Sequence, residues 1–193
     1  MKSPLFLLAS SSPRRRELLS GAGYRFRVLV PAIDETFRRT ETPVDMVRRL
    51  AREKARAVIA KYNATGHVVL AADTTVVLDG QILGKPASND HAVRLLRQLS
   101  GCEHEVFTAI AVTDGVREKV RSVRTRVRFF SHSRPVIEKY VLTGEPMDKA
   151  GGYAIQGAGA FLIEKISGSY TNVIGLPMAE TARMLAAFGV LPG

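Results

Sequence analysis

The chain has 193 residues, 46% of them hydrophobic and 24% charged, which suits one soluble globular domain over residues 1–193 with a full core. Lysine and arginine exceed aspartate and glutamate by 28 to 18, giving a net charge of +10 and pointing to an acidic partner, nucleic acid or a phosphorylated small molecule. No run approaches the roughly 18 apolar residues of a membrane span, and the single cysteine, Cys102, excludes an internal disulfide and fits a reducing, cytoplasmic setting.

In chain order, residues 5–10 (LFLLAS) are apolar throughout and predict a buried strand; the run is shorter than a signal-peptide core and arginines follow it at once. Ser12-Pro13 reads as N-cap and first helical position, opening a helix to about Ser20 that stops in Gly21-Ala22-Gly23. Residues 24–31 alternate like a strand and lead into an acidic loop, AIDETF. Thr42-Pro43-Val44-Asp45 is a helix start of capping-box type. The helix behind it places Val47, Leu50, Ala51, Val58 and Tyr62 on one face. Residues 67–73 (HVVLAAD) predict another strand, and 76–83 a hairpin turning on Asp79-Gly80. A helix over 88–100, a second hairpin around Asp114-Gly115 and a helix over 134–143 follow. YAIQG and AFLIEKI read as strands, before a last helix over 177–188. The fold class expected is α/β: a mixed twisted sheet flanked by helices, in two lobes with a central cleft.

Several residues do not look structural. Lys54 falls near the centre of the apolar stripe of the middle helix. Either its stem is buried and its head snorkels to water, or a cation is aimed at an anion. Asp73, read at the end of an apolar strand, and Asp34-Glu35, in a loop, are carboxylates where catalytic groups gather, although turn or capping roles explain them equally. Carboxylates of this kind hold Mg²⁺ while substrate phosphates complete its shell. Gly84-Lys85-Pro86 adds a lysine in a short rigid loop and is not a P-loop. Ser10, Ser11, Ser12 and Arg14 at a helix N-terminus make an anion site by geometry, with Arg15 and Arg16 pointing round the helix as surface charge. Gln156, in the glycine-rich tract 151–177, offers a donor and an acceptor side by side, a match for the imide edge of uracil or thymine. Arg124, Arg126 and Arg128 alternate along one strand face, as a solvated face or an RNA-binding one. The near absence of aromatic pattern there speaks against nucleic acid, and the four histidines lack metal-ligand spacing.

The blocks LLASSSPRRRELL, AREKA, AADTTVVLDGQILGKP, LSGCEHEVFTA and DKAGGYAIQGAGAFLIEKISGSYTNVIGLP, in this order from residue 7 to about 181, resemble the signature blocks of the Maf family of nucleotide pyrophosphatases. The resemblance implies an inosine-triphosphatase-like fold and metal-assisted hydrolysis of a nucleoside triphosphate to monophosphate and pyrophosphate, with Mg²⁺ or Mn²⁺ as cofactor. It implies Asp73 as proton acceptor, Glu35, Lys54 and Lys85 as the rest of the catalytic group, and Glu35 and Asp73 as metal ligands. Arg14, Thr74 and Gln156 resemble the branch acting on dTTP and UTP; the branch acting on 7-methyl-GTP typically has tryptophan, glutamine and glutamate there. Ser10 and Ser12 would cradle phosphate. Thr75 and Met178 depart from the family's usual valine and leucine, away from this chemistry. Clearance of modified pyrimidine triphosphates and homodimerisation are family expectations. The alternatives are a 7-methyl-GTP pyrophosphatase of the same family and a non-enzymatic nucleic-acid-binding or cell-division regulatory protein.

Overall fold

The computed structural model describes residues 6–193; Leu5, expected to open the first strand, lies outside the described residues. The strands β1 (Phe6–Ala9), β2 (Phe26–Val28), β3 (Val69–Leu78), β4 (Gln81–Leu83), β5 (Glu103–Thr113), β6 (Glu118–Phe129) and β7 (Ile163–Ser167) form one mixed sheet. Its order is β2-β1-β3-β5-β6-β7, with β4 paired to β3. β1 runs parallel to both neighbours, Leu8 facing Val28 on one side and Leu70 on the other. β7 closes antiparallel on β6, with a register shift between Arg128 and Phe129. The helices are α1 (Pro13–Gly21), α2 (Pro43–Tyr62), α3 (Asn89–Leu99), α4 (Arg134–Val141), α5 (Tyr170–Ile174) and α6 (Met178–Ala186).

The chain divides into two compact units, the first comprising residues up to Asp73 with Thr108–Val123 and Gly175–Gly193, the second Thr74–Phe107 with Arg124–Ile174. In the first, Phe6, Leu8, Leu70 and Ile110 of the sheet are sealed by Leu19 of α1 and by Leu185 and Phe188 of the C-terminal segment. In the second, Leu96 and Leu99 of α3 and Ile137 and Val141 of α4 close over Val106, Val127 and Phe129. Each such side chain contributes roughly 1.5–3 kcal/mol by leaving water.

Helix α2 starts as its sequence requires. The Thr42 hydroxyl accepts from the Asp45 N–H at 3.2 Å and donates to the Asp45 carboxylate at 2.6 Å, while Pro43 takes the first turn. It stops at Asn63 in the left-handed region. The buried stripe is Met46, Val47, Leu50, Ala51, Lys54, Ala55 and Val58. Tyr62, expected on it, is exposed in the last turn, with the Lys61 ammonium over its ring at 5.3 Å.

Three expectations about the strands fail, two of them for identifiable reasons. Asp73 is not at a strand end: Thr74, Thr75, Val76 and Val77 are β-branched and carry β3 on to Leu78, so Asp73 lies mid-strand. YAIQG is not a strand. Gly151, Gly152 and Gly157 adopt φ of +69°, +72° and +90°, so this tract folds into 3₁₀ turns at Ala150–Gly152 and Ala158–Leu162, leaving only β7 extended. The alternating stretch 24–31 pairs only over Phe26–Val28. The Asp79-Gly80 turn forms as expected, both residues having positive φ.

His104, buried in β5, meets the Tyr153 hydroxyl through Nε2 at 2.8 Å and packs edge-on against Phe129. Burial lowers its pKa from 6.5 to about 4. Below pH 6.5 the unfolded chain therefore binds a proton that the folded chain refuses, and stability falls as pH drops toward 4. Urea unfolding of wild type and His104→Gln across this window should show an acid-dependent loss of about 3 kcal/mol in wild type beyond that of the variant. Parallel curves would remove His104 from the acid sensitivity.

Candidate active site

Lys54 does not snorkel. From the apolar face of α2 its Nζ reaches Asp73 Oδ1 at 2.6 Å and Glu35 Oε1 at 2.8 Å. The lysine and Asp73 side chains are only 11% and 10% exposed, whereas Glu35, on the loop before α2, is 53% exposed. A buried ammonium without a partner would cost several kcal/mol, so the two carboxylates are what allow the lysine inside. Burial pushes the Asp73 carboxyl above its ordinary pKa; Lys54 and Arg15 oppose this, and the nearby Glu35 charge adds to it. The neighbouring Asp34 has another task. It accepts from the Thr36 hydroxyl at 2.6 Å and the Thr36 amide at 2.9 Å, and these hydrogen bonds hold its carboxyl below the usual range. Asp34 thus serves the turn, and Glu35 faces the lysine.

At the β1–α1 turn the roles of the arginines differ from the expected ones. Arg15, read as surface charge, is buried: Nη1 donates to Ala72 O at 2.8 Å and to Ser10 Oγ at 3.1 Å, and Nε to Gly175 O at 2.8 Å. It ties the serine turn to the strand residue before Asp73. Its placement four residues before the buried Leu19, on the inward face of α1, was the available signal. Ser10 Oγ also accepts from the Ser12 N–H at 3.2 Å. With both acceptor sites engaged, the Ser10 hydroxyl has its proton left to donate. Ser12 takes the N-cap position without a side-chain capping bond, and Arg14 is half-buried in the first turn.

The other candidate residues belong to the second unit. Thr74 follows Asp73 in β3 and is half-buried. Lys85 is exposed in the loop after β4; the carbonyl before it, Gly84 O, accepts from the Gly151 N–H at 3.0 Å, tying this loop to the glycine tract. Gln156 is exposed between the two 3₁₀ turns. The structure thus brings Glu35, Lys54 and Asp73 into contact, with Ser10 joined through Arg15.

Among the described residues, no three or more His, Cys, Asp or Glu side chains cluster as a complete metal shell. The Asp73 and Glu35 carboxylates both converge on the Lys54 ammonium, and their hard oxygens are donors of the type a divalent cation takes when phosphate and water supply the rest of its shell. The three alternating arginines of β6 are matched one by one: Arg124 with Glu105 at 3.0 Å, Arg126 with Glu103 at 3.4 Å and Arg128 with Glu164 at 3.0 Å. That pairing offsets the positive face an RNA backbone would need. No helix among the described residues is long and apolar enough to cross a membrane.

The family model described as Maf-like protein matches residues 5–188. The chain belongs to the Maf family. The dTTP/UTP pyrophosphatase of Symbiobacterium thermophilum is 52% identical to this Maf chain over 95% of it and 93% of the relative. Those of Shewanella denitrificans and Geobacter sp. are 51% and 50% identical, the latter over 99% of both chains. The solved structure of the Staphylococcus aureus Ham1 protein matches this fold with a TM-score of 0.50 over 96% of this chain and 97% of its own, at 14% identity. At that identity the likeness concerns the fold alone.

Arg15→Lys in this Maf chain should lower stability by about 2–4 kcal/mol in urea unfolding, because one ammonium cannot serve both carbonyls and each orphaned group costs roughly 1–3 kcal/mol. Arg16→Lys, on the exposed side of α1, should stay within about 0.5 kcal/mol of wild type. Equal effects of the two substitutions would contradict the inward role of Arg15.

Proposed function

We propose that this chain hydrolyses dTTP and UTP to the nucleoside monophosphate and pyrophosphate. The observation that carries the reading is the buried Lys54 ammonium clasped by Asp73 and Glu35, within a chain about half identical over nearly its full length to curated dTTP/UTP pyrophosphatases. Water attacks the α-phosphorus, its oxygen forms the new P–O bond, the α–β bridge bond breaks, and pyrophosphate leaves with the bridging oxygen. Asp73, held by Lys54 and raised in pKa by burial, orients the water and takes its proton. Lys54 keeps the Asp73 and Glu35 carboxylates in register, and Lys85 meets triphosphate charge. A divalent cation, Mg²⁺ or Mn²⁺, held by Glu35 and Asp73 would neutralise charge on the phosphate oxygens. The Ser10 hydroxyl, Ser12 at the start of α1 and Arg14 supply donors for phosphate. The Gln156 amide reads the imide edge of the pyrimidine, and Thr74, beside Asp73, completes substrate selection.

The deciding experiment incubates the protein with dTTP, UTP, CTP and 7-methyl-GTP in Mg²⁺ or Mn²⁺ and separates the products by ion-exchange chromatography. Pyrophosphate with dTMP and UMP is the expected result. Release of inorganic phosphate, or preference for 7-methyl-GTP, overturns the assignment. Asp73→Asn should lower kcat by roughly 10²–10⁴ at unchanged far-UV circular dichroism; full activity in that variant removes Asp73 from the chemistry. Chelation with EDTA should stop turnover and added Mg²⁺ or Mn²⁺ restore it, and turnover persisting in EDTA overturns the metal's part.

A further inference from the structure

The loop carrying Gln156 is held by one carboxylate, from a residue that motif reasoning did not single out. Glu145 opens the 3₁₀ turn Glu145–Asp148 that follows α4. Its Oε1 accepts from the Tyr140 hydroxyl at 2.8 Å and from the Gly159 N–H at 2.9 Å, and its Oε2 from the Ala158 N–H at 3.0 Å. The same Tyr140 oxygen accepts from the Ala154 N–H at 3.3 Å. Backbone on both sides of Gln156, at residue 154 and at 158–159, therefore hangs on a Tyr140–Glu145 relay from the end of α4. Burial opposes ionisation of Glu145, but the bonds from Tyr140, Gly159 and Ala158 hold its carboxyl below the ordinary range. It is an anion at neutral pH, and its bonds to the loop are of the stronger, charge-assisted kind.

The glycines show how closely the loop is drawn in. A Cβ at Gly157, where φ is +90°, would stand 2.5 Å from Glu145 Oε2. A Cβ at Gly159 would stand 2.6 Å from both Ala154 O and the Tyr140 hydroxyl oxygen. The backbone beside Gln156 is thus pressed onto the relay with no room for side chains, although Gln156 itself is exposed. Beyond Gly159 the tract is anchored separately, Leu162 O accepting from the Phe130 N–H at 3.0 Å and the Phe161 ring packing edge-on against His132 and Tyr140, so at 158–159 the Glu145 carboxylate is the side chain that receives the amides.

We propose that Glu145 is the positioning residue for base selection, fixing the orientation of the Gln156 amide through the 158–159 backbone; this role rests on the reading that Gln156 recognises the pyrimidine. A two-faced amide discriminates uracil and thymine from cytosine only if its donor and acceptor ends cannot exchange places. On an untethered loop the amide turns over, and a base with the opposite donor pattern is accepted equally well.

The test compares wild type, Gln156→Ala, Glu145→Ala, Glu145→Gln and Tyr140→Phe. Each is assayed for kcat and KM on dTTP, UTP and CTP, with amide hydrogen exchange followed over 154–162. Glu145→Ala should lower the dTTP-to-CTP ratio of kcat/KM by about 10–100-fold, the equivalent of about one charge-assisted bond. The loss should fall on KM more than on kcat, and the amides of 158 and 159 should exchange faster. Glu145→Gln, which keeps one carbonyl acceptor, should recover part of the selectivity, and Tyr140→Phe should lose an intermediate amount. If Glu145→Ala does not fold, the glutamine and Tyr140→Phe variants carry the comparison. An equal fall on all three substrates marks Glu145 as merely structural and overturns the proposal. If Gln156→Ala loses selectivity while the Glu145 and Tyr140 variants keep it, the positioning role alone fails. A wild type that does not discriminate, or a Gln156→Ala that still does, overturns the base reading and this role with it.

Discussion

A lysine buried in the apolar face of a helix obliges the fold to bring negative charge to it. In α2 that lysine is Lys54, flanked by Leu50, Ala51, Ala55 and Val58, all buried. The helix cannot lay this face against the sheet, where it meets β1, unless a carboxylate waits at the right height. Asp73 supplies it from the middle of β3, and Glu35 supplies a second from the loop ahead of the helix. The arrangement holds α2 in register and stores a carboxylate whose proton affinity is raised by burial, beside a cation that restrains it. The contact that lets the unit close is thus also the contact that fixes the Asp73 and Glu35 carboxylates side by side on one ammonium.

Arg15 obeys the same logic. A guanidinium inside the first unit is tolerated because two carbonyls and a serine hydroxyl receive it. In return it pins the turn after β1 to the strand residue preceding Asp73 and to the segment leading into α6. Adjacent arginines on α1 therefore separate by helical angle. Arg15 faces the core, Arg16 faces solvent, and Arg14 stands between them in exposure.

Glu145 does for a loop what Lys54 does for a helix. A loop of glycines and alanines has few side chains to anchor it, so its amides are gathered by a carboxylate that a tyrosine holds in turn. Both cases place an ionised group where several hydrogen bonds converge, which keeps geometry fixed at the expense of desolvation. Elsewhere charge has a plainer use. Arg124, Arg126 and Arg128 of β6 are each matched by a glutamate on β5 or β7, so that alternating stripe is a ladder of surface pairs, individually worth little.

What the sequence by itself determined is whatever is local. The Thr42-Pro43-Asp45 start of α2, the Asp79-Gly80 turn and the period that put Lys54 among apolar residues follow from neighbours a few positions apart, as do the ordered blocks shared with Maf proteins. The tertiary structure decided the rest, because pairing and burial depend on residues far apart in the chain. Asp73 looked like a strand end, yet β3 runs on through two threonines and two valines once it has neighbours to pair with. YAIQG looked like a strand, yet glycines with positive φ and the Glu145 carboxylate draw it into turns. Which of three consecutive arginines turns inward was set by carbonyls 57 and 160 positions further along the chain. A local pattern cannot specify such partners, because a buried charge takes its position from the groups that solvate it.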